Sequence, residues 1–196
     1  MEKIKNIITA SIETKQLVFA NEGLVNTIGK VVEVITKVFT DGKRVYFCGN
    51  GGSAADAQHL AAEFSGRFYT DRKAFPAEAL HCNTSYLTAV ANDYSFDVIY
   101  SRMIDGIGQE GDVLIGISTS GNSENILKAI ETAKEKKMFT VGFTGVSGGK
   151  LKDKCDLLVN IPSTDTPRIQ ECHIMVGHII CQLVEENLFQ TPLNLP

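Results

Sequence analysis

Apolar residues recur at helical spacing along the first 40 positions. Ile4, Ile7, Ile8, Ile12 and Leu17 form one stripe, and Leu24, Ile28, Val31, Val32, Ile35 and Val38 form a second. Asn21, Glu22 and Gly23 interrupt the pattern, and Asp41-Gly42 ends it, so two helices are predicted. The pattern then changes. Short continuous apolar runs at 44–48, 77–81, 113–118, 139–144 and 157–161 alternate with helical patterns at 53–68, 85–92, 96–106, 123–137 and 168–189. Continuous rather than alternating apolar runs are the mark of parallel strands covered on both faces. The pattern predicts a three-layer, doubly wound α/β domain of about five parallel strands, preceded by N-terminal helices. Residues 1–196 read as one domain: a helical segment at 1–40, an α/β core at 41–189 and a loosely ordered tail at 190–196.

Composition narrows the function classes. The 196 residues are 43% hydrophobic and 21% charged, ordinary for a globular chain with a real core. A formal net charge of −4 argues against a general affinity for nucleic acid or membrane surfaces. The N-terminal stretch mixes acids and bases without an apolar core, unlike a secretory leader. No apolar run approaches the roughly 18 residues of a membrane span. Five unpaired cysteines without a CxxC spacing read as reduced, mostly buried thiols of a cytoplasmic protein.

Two loops fall where a doubly wound sheet binds ligands, beyond the carboxyl ends of strands. The first is Asn50, Gly51, Gly52 and Ser53, a glycine-rich turn opening a helix, where free N–H groups can cradle an anion. The second is Ser118, Thr119, Ser120, Gly121, Asn122 and Ser123. Its hydroxyls and backbone donors, without a lysine, suit a small phosphomonoester better than a nucleoside triphosphate. Neither a P-loop nor a full GxGxxG is present. The plain alternative for the second loop is helix capping.

His59 and Glu63 stand four residues apart on one helical face, able to share a metal or a proton. The alternative is a surface ion pair. Gln170 and His178 lie ~12 Å apart along the last helix and ~80° around it. They meet at one ligand only if both side chains converge on it; otherwise they serve different sites. On its surroundings alone, His178 in IMVGHIICQLV reads as a core histidine. His81 and His173 read as structural or surface residues. Asn92-Asp93 can bond sugar hydroxyls or form a simple turn.

Taken together, CGNGGSAADAQH (48–59), AND (91–93), EGDVLIGISTSGNSENI (110–126) and RIQECHI (168–174), with His178 beyond, resemble the SIS (sugar isomerase) domain family over nearly the whole chain. Within it the closest likeness is to the branch of aldose–ketose isomerases acting on seven-carbon sugar phosphates. That resemblance implies interconversion of sedoheptulose 7-phosphate and D-glycero-D-manno-heptose 7-phosphate through an enediol. It would be the first step toward the ADP-heptose of lipopolysaccharide core or other surface glycans. It also implies a homotetramer with sites at subunit interfaces and one zinc ion per subunit, held by His59, Glu63, Gln170 and His178. Glu63 and His178 would carry the proton transfers. Asn50, Gly51, Gly52, Ser53, Glu63, Asn92, Asp93, Ser118, Thr119, Ser120, Ser123 and Gln170 would contact substrate, with the phosphate chiefly in the second loop. One departure stands out: some members carry an acid directly before Arg-Ile-Gln, where this chain has Pro167, with Asp165 two residues earlier. A binding module of the replication-initiator-associating type is the first alternative. It lacks the glutamate and second histidine matching Glu63 and His178. An arabinose 5-phosphate-type isomerase is the second.

Overall fold

Asn21 separates the first two helices: α1 (Glu2–Ala20) and α2 (Glu22–Thr40). Its side chain caps α2 by accepting from the Leu24 N–H at 3.1 Å. One residue therefore makes the break expected over three. α2 buries its whole predicted stripe. α1 does not: Ile4, Ile7, Ile8, Ile12 and Leu17 are 51–59% exposed. Spacing predicts that a segment is helical, not what its apolar face packs against.

The computed structural model describes residues 1–189, so the expectation for 190–196 lies outside the described residues. Five strands form one fully parallel sheet: β1 (Val45–Gly49), β2 (Ala77–Ala79), β3 (Val113–Ile117), β4 (Phe139–Thr144) and β5 (Leu157–Asn160). Their order is β2-β1-β3-β4-β5. Alternate side chains serve opposite layers. Val45, Phe47, Val113, Ile115 and Ile117 join the core beneath α2, α3 (Gly52–Ser65) and α7 (Thr166–Phe189). Tyr46, Cys48 and Leu114 join the core beneath α4 (Thr84–Asp93), α5 (Ile99–Ile107) and α6 (Glu124–Glu135). Burial on both faces explains the continuous apolar runs.

Several boundaries differ from the sequence pattern: α3 ends at Ser65 rather than 68 and α6 at Glu135 rather than 137. β2 stops at Ala79 because it is an edge strand, although the Leu80 N–H still reaches the Phe47 carbonyl at 2.9 Å. The helix expected over 96–106 begins as a 3-10 turn, Phe96–Val98, before α5. All five cysteines are free thiols, and three are fully buried. Among the described residues, no helix is long and apolar enough to cross a membrane.

The winding direction reverses between β1 and β3, which pair directly with Gly49 opposite Ile117. The two loops singled out above leave these neighbouring strands at the same end. A crevice at such a reversal is where doubly wound sheets hold ligands.

Candidate functional site

Asn50 and Asn125 tie the two loops together. Each side-chain amide donates to the other's carbonyl oxygen at 2.9 Å. Asn125 lies in the first turn of α6 and is buried. From the other side, the buried Tyr100 hydroxyl donates to the Gly49 carbonyl at 2.5 Å. Sequence inspection did not single out Asn125 or Tyr100, whose partners lie 75 and 51 residues away.

In the second loop, Ser118 Oγ lies 2.9 Å from Ser123 Oγ and 3.4 Å from Ser120 Oγ. Ser123 is the N-cap residue of α6, yet its side chain makes no capping bond. The helix-capping alternative thus fails: three hydroxyls face one another, and the first turn of α6 keeps its N–H groups free of a side-chain cap. Such a terminus favours an anion. Thr119, Ser120 and Asn122 line a cleft whose far wall is Gly145, Ser147 and Thr166. That wall was missed in the sequence, where its signal is the composition of GVSGG and STDT. Pro167 is the second residue of α7, where its missing N–H leaves no bond unmade. Asp165 is exposed just before it.

In the first loop, α3 begins at Gly52 without a side-chain cap. A Cβ on Gly52 would lie 2.6 Å from the Gln170 amide nitrogen, so only glycine lets that amide rest on the loop. About two turns further along each helix, a Cβ on Gly177 would lie 2.5 Å from the Leu60 methyls. α3 and α7 therefore run side by side in the same direction, with Gln170 at Gly52 and Gly177 at Leu60.

That register brings the histidines together. His178 Nε2 lies 3.0 Å from His59 Nε2, and His59 Nε2 lies 3.1 Å from Glu63 Oε1. Two ring nitrogens at that distance share one proton or face a common cation. The Phe68 ring stacks on His178 with centroids 5.7 Å apart. Burial holds the His178 pKa below the ordinary imidazole value, helped by the neighbouring His59 and opposed by Glu63. All three donor atoms lie within 4.8 Å of one another. Two imidazoles and one carboxylate fit a transition metal that keeps a further position open. His178 is thus not the core histidine its surroundings suggested. That part belongs to His173, which is wholly buried with Nε2 3.0 Å from the Thr144 carbonyl.

Gln170 rests two helical turns from this cluster, at the glycine loop. Asn92 and Asp93 close α4, where the Asn92 amide donates to Asp93 at 2.9 Å. Neither bonds to either loop among the described residues. Asp56, one turn before His59, also escaped the sequence reading. Burial pushes its carboxyl up to about 6, against the pull of His59.

A family model described as the SIS domain matches residues 12–145. A phosphoheptose isomerase of Clostridium acetobutylicum is 52% identical over 190 residues, covering 95% of this chain and 97% of the relative. The structure of a phosphoheptose isomerase from Neisseria gonorrhoeae superposes with a TM-score of 0.89 at 39% identity, covering 94% of this chain and 98% of that one. One from Francisella tularensis gives 0.91 at 33% identity, covering 94% and 97%.

Proposed function

The chain belongs to the SIS domain family, and from that premise we propose that it is an aldose–ketose isomerase interconverting sedoheptulose 7-phosphate and D-glycero-D-manno-heptose 7-phosphate. The observation that carries the chemistry is the meeting of His59, Glu63 and His178 across α3 and α7. The relatives, alike over almost their full length, favour this reading over the binding module and the arabinose 5-phosphate type.

In this reading the substrate phosphate sits on Ser118, Thr119, Ser120 and Ser123 at the uncapped start of α6. Asn50, Gly51, Gly52 and Ser53 hold the sugar chain, with Gln170 beside them and Asn92 and Asp93 on its hydroxyls. Glu63 removes a proton from one of C1 and C2 and returns it to the other. His178 gives and takes protons at the adjoining oxygens, so the enediol forms without a free alkoxide. His59, Glu63 and His178 would hold one zinc ion, with Gln170 as fourth ligand once its amide leaves Gly52 and turns toward them. When bound, the ion supplies Lewis-acid polarisation of the carbonyl. Glu63 then keeps one carboxylate oxygen for the proton.

The reaction fits the first step toward ADP-heptose for lipopolysaccharide core or another surface glycan, carried out in the cytoplasm. We further propose that the whole chain acts as one SIS domain, with segment 1–40 packing in a homotetramer and sites at subunit interfaces. The exposed isoleucine stripe of α1 supports this.

A coupled assay with sedoheptulose 7-phosphate tests the proton-transfer roles. Glu63→Gln and His178→Gln are each expected to lower kcat by roughly 10²–10⁴-fold with the circular dichroism spectrum unchanged. Full activity in Glu63→Gln would overturn the base assignment. Wild-type inactivity with zinc supplied would return weight to the binding module.

A further inference from the structure

Arg72 and Glu185 form an ion pair, 2.6 Å from Nε to Oε2, with side chains only 1% and 2% exposed. The proton-transfer reading uses neither residue. Each is nevertheless bonded to the backbone around the reactive cluster. The Arg72 guanidinium donates to the Glu63 carbonyl at 2.8 Å and to the Phe64 carbonyl at 3.0 Å. These carbonyls are among those left open at the end of α3, where a cation is favoured. Arg72 also lies 4.2 Å over the Phe75 ring, which keeps its fork in one plane.

Glu185 stands two helical turns beyond His178 on α7. Its second oxygen accepts the Tyr69 N–H at 3.1 Å and the Thr70 N–H at 2.5 Å. Those amides directly follow Phe68, whose ring covers His178. The pair therefore reaches all the working parts. It holds the backbone of Glu63, the helix of His178 and the loop that seats the ring against His178.

We infer that Arg72 and Glu185 are positioning residues for the isomerisation, fixing α3 against α7 so that the Glu63 carboxylate and the His178 ring meet. The inference rests on Glu63 and His178 being the proton-transfer groups. A buried ion pair is not needed for stability as such, because apolar residues of similar volume often replace one without loss. That separates positioning from scaffolding.

The test compares wild type, Arg72→Lys and the double variant Arg72→Met/Glu185→Leu. Each is held well below its melting temperature, with folding checked by circular dichroism. Lysine keeps the charge but loses the fork that binds Glu185 and two carbonyls together. Arg72→Lys is expected to lower kcat 10–100-fold while KM for sedoheptulose 7-phosphate stays within about twofold, because the phosphate loops lie elsewhere. The double variant is expected to recover the wild-type melting temperature without recovering kcat. The side-chain 15N resonances of His59 and His178 are expected to move in both variants. Wild-type kcat in a folded Arg72→Lys, or a kcat that returns with the melting temperature in the double variant, would overturn the inference. If the double variant fails to fold, kcat and the imidazole resonances of Arg72→Lys decide alone. An inactive wild type would instead defeat the proton-transfer reading and take this one with it.

Discussion

His173 shows how a single buried residue shapes the response to acid. The Thr144 carbonyl can only accept, so Nε2 carries the proton, while buried Nδ1 has no partner. Burial lowers its pKa from the ordinary 6.5 to about 4, and the bond to Thr144 offsets that only in part. The folded state therefore keeps His173 neutral where the unfolded chain would protonate it. Its contribution is complete above pH 6.5 and is lost as pH falls toward 4, by about 2 kcal/mol between pH 7 and pH 5. His173→Gln keeps a donor for Thr144 but does not titrate. Urea unfolding at both pH values should show wild type losing about 2 kcal/mol more than the variant between them; equal losses would refute the assignment. The apolar neighbours of His178 point to the wrong histidine of α7: His173 lies on the buried stripe with Ile169, Cys172, Val176 and Gly177, and His178 falls one position off it. His59 and Glu63 were legible, since their spacing is local. Arg72 and Glu185 were not: they sit in ordinary charged segments 113 residues apart.

At the scale of elements, the pairing of α3 with α7 depends on Gly177. A methyl group there would lie 2.5 Å from both Leu60 methyls, and Leu60 is itself buried. Gly177→Ala should push the helices apart, destabilise the fold by about 1–3 kcal/mol and depress kcat by separating His178 from Glu63. Leu60→Ala in the same chain should restore part of the activity by making room. If the double variant is no more active than the single one, close approach is not the reason for glycine. The five strands could be read from the sequence because burial on both faces leaves an unbroken apolar run. The register between α3 and α7 could not, since it is set by two glycines whose partners lie 117 and 118 positions away. The 3-10 start before α5 likewise left no signal in the apolar spacing.

For the whole molecule, the unburied stripe of α1 continues into an apolar groove of Val18, Phe19, Val25, Ile28, Met175 and Ile179. A continuous patch of this kind supports the proposed association through α1. Ile8→Glu/Ile12→Glu should lower the solution mass below that of a tetramer, as read by light scattering, without unfolding the core. An unchanged mass would exclude α1 from the interface. A formal net charge of −4 fits the proposed small anionic substrate being held by local dipoles rather than by a long-range field.

The contact between His59 and His178 spans 119 positions. At 5–20 residues per second, a ribosome takes about 6–24 s to travel from one to the other. Throughout that interval the nascent chain carries His59 and Glu63 without His178. A polypeptide cut short before its final helix would keep both loops, His59 and Glu63 but lack Gln170 and His178, half of the proposed site.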